Sequence, residues 1–126
     1  VQVKVISAKN LRDADWLYGT SDPYCIVKPG GKDKDAWSTK TINGRDLVTW
    51  NETKTFKIKR GMAIEFHIYD EDWGKSDDHL GSATLKFEDI LENFEGKVAL
   101  LDEKGKALPG KTGKGCFLNL AIKVLD

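Results

Sequence analysis

The chain has 126 residues, 20 basic and 20 acidic, with no formal net charge, and 40% of it is hydrophobic. That length suits one domain able to bury roughly two-thirds of its unfolded surface, and the charge balance removes the broad positive field of a nucleic-acid binder. No apolar run approaches the roughly 20 residues of a membrane-spanning helix, and no basic-then-apolar leader opens the chain. It begins on Val1 in strand pattern, without an initiator methionine, which suggests one domain over residues 1–126 cut from a longer protein.

In chain order, strand-like stretches fall at Val1–Ser7, Tyr24–Pro29, Ala36–Ile42, Thr49–Lys59, Met62–Tyr69, Gly81–Phe87, Gly96–Leu101 and Cys116–Leu125. Short strands separated by Gly, Asp and Pro predict an all-β fold, an eight-stranded antiparallel β-sandwich. Met62, Ile64, Phe66 and Ile68 alternate with Ala63, Glu65, His67 and Tyr69, and Leu118, Leu120, Ile122 and Val124 repeat the pattern, each burying one face. Cys25 and Cys116 share strand parity with apolar neighbours and are expected inside as free thiols, although a bond between them is not excluded by the pattern. Between strands, 87–94 fits one or two helical turns with Ile90, Leu91 and Phe94 facing the sheet. The Gly- and Lys-rich stretch 103–115 reads as a mobile connection.

Two clusters of aspartate stand where strands give out: Asp15 and Asp22 around D-W-L-Y-G-T-S-D-P-Y, and Asp70, Asp72 and Asp78 in Y-D-E-D-W-G-K-S-D-D-H-L-G. Like charges about 4 Å apart repel by on the order of 4 kcal/mol per pair at an effective dielectric near 20, so five converging carboxylates ask for a cation. All-oxygen ligation selects a hard ion, and flexible 6–8 coordination suits Ca2+ better than octahedral Mg2+. Asp77 reads instead as a turn residue bonding local backbone. An EF-hand is excluded, because Lys75 and Gly81 occupy the sixth and twelfth positions counted from Asp70.

Taken together, V-K-V-I-S-A-K-N-L, G-T-S-D-P-Y, W-N-E-T, Y-D-E-D and D-H-L-G-S-A resemble, in order, the motifs of C2 domains, calcium-regulated membrane-binding β-sandwiches. The resemblance implies the type II arrangement, in which the last strand lies beside the first. It also implies two Ca2+ ions. One would be held by Asp15, Asp70, Asp72 and Asp78 with the Glu71 carbonyl, the other by Asp15, Asp22, Asp70 and Asp72 with the Trp16 carbonyl. Three residues separate Asp15 from Gly19 where the family has two, which leaves Asp13 as the alternative first-loop ligand. Many relatives carry lysines on a concave strand face for lipid headgroups; here Ile26, Ala36 and Ser38 stand at such positions, leaving Lys28 and Lys40.

Trp16, Leu17, Tyr18 and Trp73 adjoin the expected ligands, and Trp and Tyr favour membrane interfaces. Leu17 and Tyr18 are equally suited to packing beneath the loops. The expected function is a Ca2+-switched module for anionic phospholipid membranes, peripheral and on the cytoplasmic side, monomeric, with no nucleic-acid partner. The competing expectation is a calcium-independent protein-interaction domain. No Ser-His-Asp, P-loop or dinucleotide pattern supports an enzyme.

Overall fold

The structure, a computed structural model, describes residues 1–11, 22–42, 47–71, 76–110 and 112–125. Among them eight strands form two four-stranded antiparallel sheets, as expected. The first sheet has the order β4-β1-β8-β7, built from β1 (Gln2–Lys9), β4 (Leu47–Thr55), β7 (Phe94–Ala99) and β8 (Phe117–Lys123). The second has the order β3-β2-β5-β6, with β2 (Pro23–Pro29), β3 (Trp37–Ser38), β5 (Ala63–Asp70) and β6 (Asp78–Lys86). The first and last strands are neighbours, Val3 opposite Ile122 and Ala8 opposite Leu118.

Alternation dictates the core. Val3 and Val5 of β1, Leu118, Leu120 and Ile122 of β8, Cys25 and Val27 of β2, and Ile64, Phe66 and Ile68 of β5 are all buried. Each large apolar side chain so placed is worth about 1.5–3 kcal/mol relative to exposure. Both cysteines are buried and free, so they serve as small hydrophobes. Burial pushes both thiols above their ordinary range.

Register shifts at three strand pairs interrupt the regular period, two of them at Val5/Ser7 of β1 against β4 and β8. On the β1–β4 side, Val5 pairs with Glu52 but Ser7 with Thr49, and Asn51 takes up the extra residue with φ +52°, a conformation asparagine tolerates. On the β5–β6 side, Ile68 pairs with Gly81 but Tyr69 with His79, so Leu80 is the inserted residue. Leu80 and Gly81 are therefore both buried, and His79 and Asp78 change face relative to an unbroken strand. Gly81 has φ +153°, and a Cβ there would stand 2.9 Å from Leu108 Cδ1 and 3.0 Å from Leu100 Cβ.

Several expectations are corrected. The third strand is only Trp37–Ser38, because Thr39 turns inward, its Oγ1 accepting the Cys25 N–H at 2.9 Å and its own N–H donating to the Cys25 carbonyl. The sixth strand begins three residues before Gly81, on the far side of the bulge. The helical turn is a 3-10 turn over Phe87–Ile90 that buries Ile90, while Leu91 is 55% exposed and Phe94 opens β7. Val124 lies past β8 and is exposed. The stretch 103–115 is tied down rather than loose wherever it is described. Asp102 Oδ1 accepts the Lys104 and Lys106 N–H groups, which hold its carboxyl below the usual range. Leu101 bridges to both Ser82 and Ala107, and the Asn10 amide donates to Thr112 Oγ1 and the Gly115 carbonyl.

Candidate metal-binding tip

Strand direction assembles the site. In the second sheet β2 enters at the end where β5 leaves and β6 enters, so Asp22, Asp70 and Asp78 share that end. Pro23 pairs with Asp70, and Asp70 pairs with Asp78. Asp22, Asp70 and Asp78, far apart in sequence, thus stand on three adjacent strand ends. The Leu80 bulge brings Asp78 into this register, opposite Asp70.

Asp70 is the anchor of the group. It is 2% exposed, and its Oδ1 accepts the Asp22 N–H at 2.6 Å. The Glu71 N–H in turn donates to the Asp22 carbonyl at 3.0 Å, so the two acidic segments are bound to one another by main chain. A carboxylate this deeply enclosed is costly in charged form unless other charge or hydrogen bonds offset it. Asp78 is half-buried beside it. The Glu71 carboxylate is turned outward, accepting the Thr41 hydroxyl at 2.6 Å, which is compatible with the carbonyl role expected of it. Asp15, Trp16, Leu17, Tyr18, Asp72 and Trp73, and the alternative Asp13, lie outside the described residues. Among the described residues alone no group of three acidic, histidine or cysteine side chains stands ready to hold an ion. The donor chemistry that is described, carboxylate oxygens with one deeply buried, fits a hard cation such as Ca2+.

Sequence reasoning did not assemble the neighbouring outer face of the second sheet. The Asp77 carboxylate, expected only to make a turn, accepts the Tyr24 hydroxyl. Burial and this bond push the Tyr24 phenol well above its ordinary pKa. Tyr24 stacks on Tyr69 at 5.9 Å, and Tyr69 meets His67 and His79 at 6.4 and 5.2 Å between ring centroids. The period-2 pattern of β5 marked Glu65, His67 and Tyr69 as one face; bringing His79 to it required the bulge. Further along this sheet Lys28 Nζ pairs with Asp33 Oδ1 at 2.9 Å, which raises its pKa, and Lys40 is exposed with its N–H donated to Glu52.

The fold and the acidic strand ends define a β-sandwich with an acidic tip, and a family model for the C2 domain matches residues 1–101. The chain belongs to the C2 domain family. It is 36% identical over 123 residues to human (Homo sapiens) multiple C2 and transmembrane domain-containing protein 1, covering 97% of this chain and 12% of that protein. The chain thus spans about an eighth of the length of that relative. Among solved structures it is similar to a C2 domain of plant extended synaptotagmin 1, with a TM-score of 0.79, 21% identity, and 95% and 88% of the two chains covered. It also resembles a calcium-bound structure of two C2 domains of extended synaptotagmin 2, with a TM-score of 0.74, 24% identity, and 95% and 43% covered. As a C2 domain it is in general terms a membrane-binding module, of a family that is typically not catalytic.

Proposed function

We infer that this chain, as a single domain over residues 1–126, is a calcium-dependent phospholipid-binding module that works through its acidic tip and has no catalytic activity of its own. The observation that carries the reading is the meeting of Asp22, Asp70 and Asp78 at one end of the sandwich, with Asp70 buried and bonded to the Asp22 main chain. Asp15 and Asp72, which the sequence places between these strands, would complete the set. Asp15, Asp70, Asp72 and Asp78 with the Glu71 carbonyl would hold one Ca2+, and Asp15, Asp22, Asp70 and Asp72 with the Trp16 carbonyl a second. When bound, calcium supplies positive charge and open coordination positions for lipid phosphate oxygens.

The chain's own residues do the rest. With the carboxylates unneutralised, the tip is repelled by an anionic leaflet, whose surface potential is near about −30 mV. Main-chain bonds between Asp22 and Glu71 and the paired ends of β2, β5 and β6 fix the carboxylates in place, so the change of sign requires no large rearrangement. Trp16 and Trp73, with Leu17 and Tyr18 beside them, enter the interface once repulsion is removed. Lys28 and Lys40 are secondary headgroup contacts on the adjacent face. The calcium-bound extended synaptotagmin 2 structure supports this reading by likeness of fold. The reading places the module peripherally on the cytoplasmic side of a membrane, as a monomer.

Co-sedimentation with neutral and anionic vesicles over a calcium titration tests it. Binding should require both anionic lipid and calcium. Full binding to anionic vesicles in excess chelator would reject calcium dependence, and capture of a protein partner under the same conditions would favour an interaction scaffold.

A further inference from the structure

The outer face of the second sheet holds a group that the acidic tip does not use. The chain has two histidines, and both are on this face: His67 on β5 and His79 on β6, the latter brought there by the Leu80 bulge. His67 Nδ1 and His79 Nε2 are 3.4 Å apart. At its other nitrogen, His67 Nε2 donates to Glu65 Oε1 at 2.9 Å. That bond places the His67 proton on Nε2 and leaves the Nδ1 lone pair directed at His79.

We propose that His67 and His79 form a second metal site, one that takes a borderline divalent ion of the Zn2+, Ni2+ or Cu2+ class. Two nitrogens bound about 2.1 Å from one ion at a tetrahedral angle stand roughly 3.4 Å apart, so the ring nitrogens already have the required bite. Imidazole donors select such ions over calcium, which separates this site chemically from the carboxylate tip. Glu65 supplies the carboxylate–histidine arrangement that fixes a ligand's tautomer and raises its basicity. β5 and β6 are paired on both sides of the bulge, His67 opposite Ser82 and Tyr69 opposite His79, so the backbone that carries both ligands is already set. An ion would replace this contact between the two ring nitrogens, the rings turning so that both lone pairs face it. No third histidine, cysteine or carboxylate among the described residues closes the site. Its remaining positions open on a cavity of about 580 Å³ lined by Asp78, Ser82, Asp102 and Glu103, where water or an outside ligand completes the shell.

Cu2+ is the spectroscopic probe, one equivalent per chain, with millimolar calcium present to occupy the acidic tip. Pulsed electron paramagnetic resonance should show two imidazoles on one copper, independent of protein concentration. With two histidines in the chain, that result assigns both ligands without any substitution. Zn2+ calorimetry under the same conditions should show His67→Gln and His79→Gln each weakening binding at least tenfold, and Glu65→Gln about tenfold. One imidazole or none on copper overturns the proposal. So does zinc affinity that survives both histidine substitutions, or zinc binding that calcium abolishes, which would put the ion in the tip.

Discussion

Asp70 closes β5 inside the sandwich, and its fixed carboxylate is the feature from which the rest of the tip is organised. Because Asp70 belongs to both expected ion sites, Asp70→Asn should reduce calcium affinity at least a hundredfold while the amide oxygen continues to accept the Asp22 N–H and keeps the fold. Asp77→Asn should change calcium affinity less than threefold, since the amide can still accept the Tyr24 hydroxyl. Calorimetry on the two variants checks this, and equal losses would mean that the 70–78 segment has been assigned in the wrong register. The thiols give a second prediction at this scale. Cys25 is held protonated by burial, whereas an unfolded cysteine ionises near about 8.5. A raised folded pKa contributes stability that is complete below the unfolded value and lost as pH rises above it, by roughly 1.4 kcal/mol per pH unit for this thiol. Denaturant melts between pH 7 and 10 should show that decline, and Cys25→Ala should remove most of it.

At the scale of elements, the bulge at Leu80 decides which face Asp78 and His79 occupy. An unbroken β6 would point Asp78 and His79 the other way, separating Asp78 from Asp70 and His79 from His67. Gly81 permits the bulge through its positive φ and the absence of a Cβ against Leu108 and Leu100. Gly81→Ala should therefore cost about 1–3 kcal/mol of stability. It should also weaken calcium binding, because the strand that presents Asp78 shifts with it. Chemical denaturation and calorimetry on the same variant check both effects; a loss of stability with calcium affinity intact would separate the bulge from the tip. The amino-acid pattern did not announce this bulge: G-S-A-T-L-K-F alternates from Gly81 onward, and H-L-G carries no sign of which residue is inserted. The exposure of Leu91 and Val124 was illegible for a related reason, since periodicity continues past the point where an element stops hydrogen-bonding.

For the whole molecule, two sheets bring strand ends from distant parts of the chain to one pole. Ions bound only by that folded pole stabilise it by mass action, about 2.7 kcal/mol at a hundredfold excess over the dissociation constant. Relief of carboxylate repulsion acts in the same direction. The melting midpoint in millimolar calcium should exceed that in chelator by several degrees, and an unchanged midpoint would argue against a calcium site. Membrane insertion, as proposed, would be a separate property of the same pole. Calcium with anionic vesicles should shift tryptophan emission to the blue, and part of the binding should survive salt that screens charges beyond about 8 Å. Trp37 and Trp50, packed in or against the core, contribute a constant background. Trp16→Ala with Trp73→Ala should weaken vesicle binding and leave calcium affinity in solution nearly unchanged; full vesicle binding by that double variant would sink the insertion model.

The sequence by itself determined the all-β class, the strand count, the buried faces of β2, β5 and β8, and the burial of both cysteines, while their free state was decided by the structure. These follow from period-2 alternation and apolar composition, which act locally and leave a direct trace in the order of residues. It also singled out the acidic segments, because so many aspartates at strand ends have few other physical uses. Only the tertiary structure decided that Asp22, Asp70 and Asp78 lie on adjacent strand ends, that Thr39 turns inward to cut β3 short, and that the 103–115 stretch is bonded down. It alone put Glu65, His67 and His79 together. Those outcomes depend on cross-strand register, and register is set by a bulge and by hydrogen bonds between residues tens of positions apart, which no local pattern encodes.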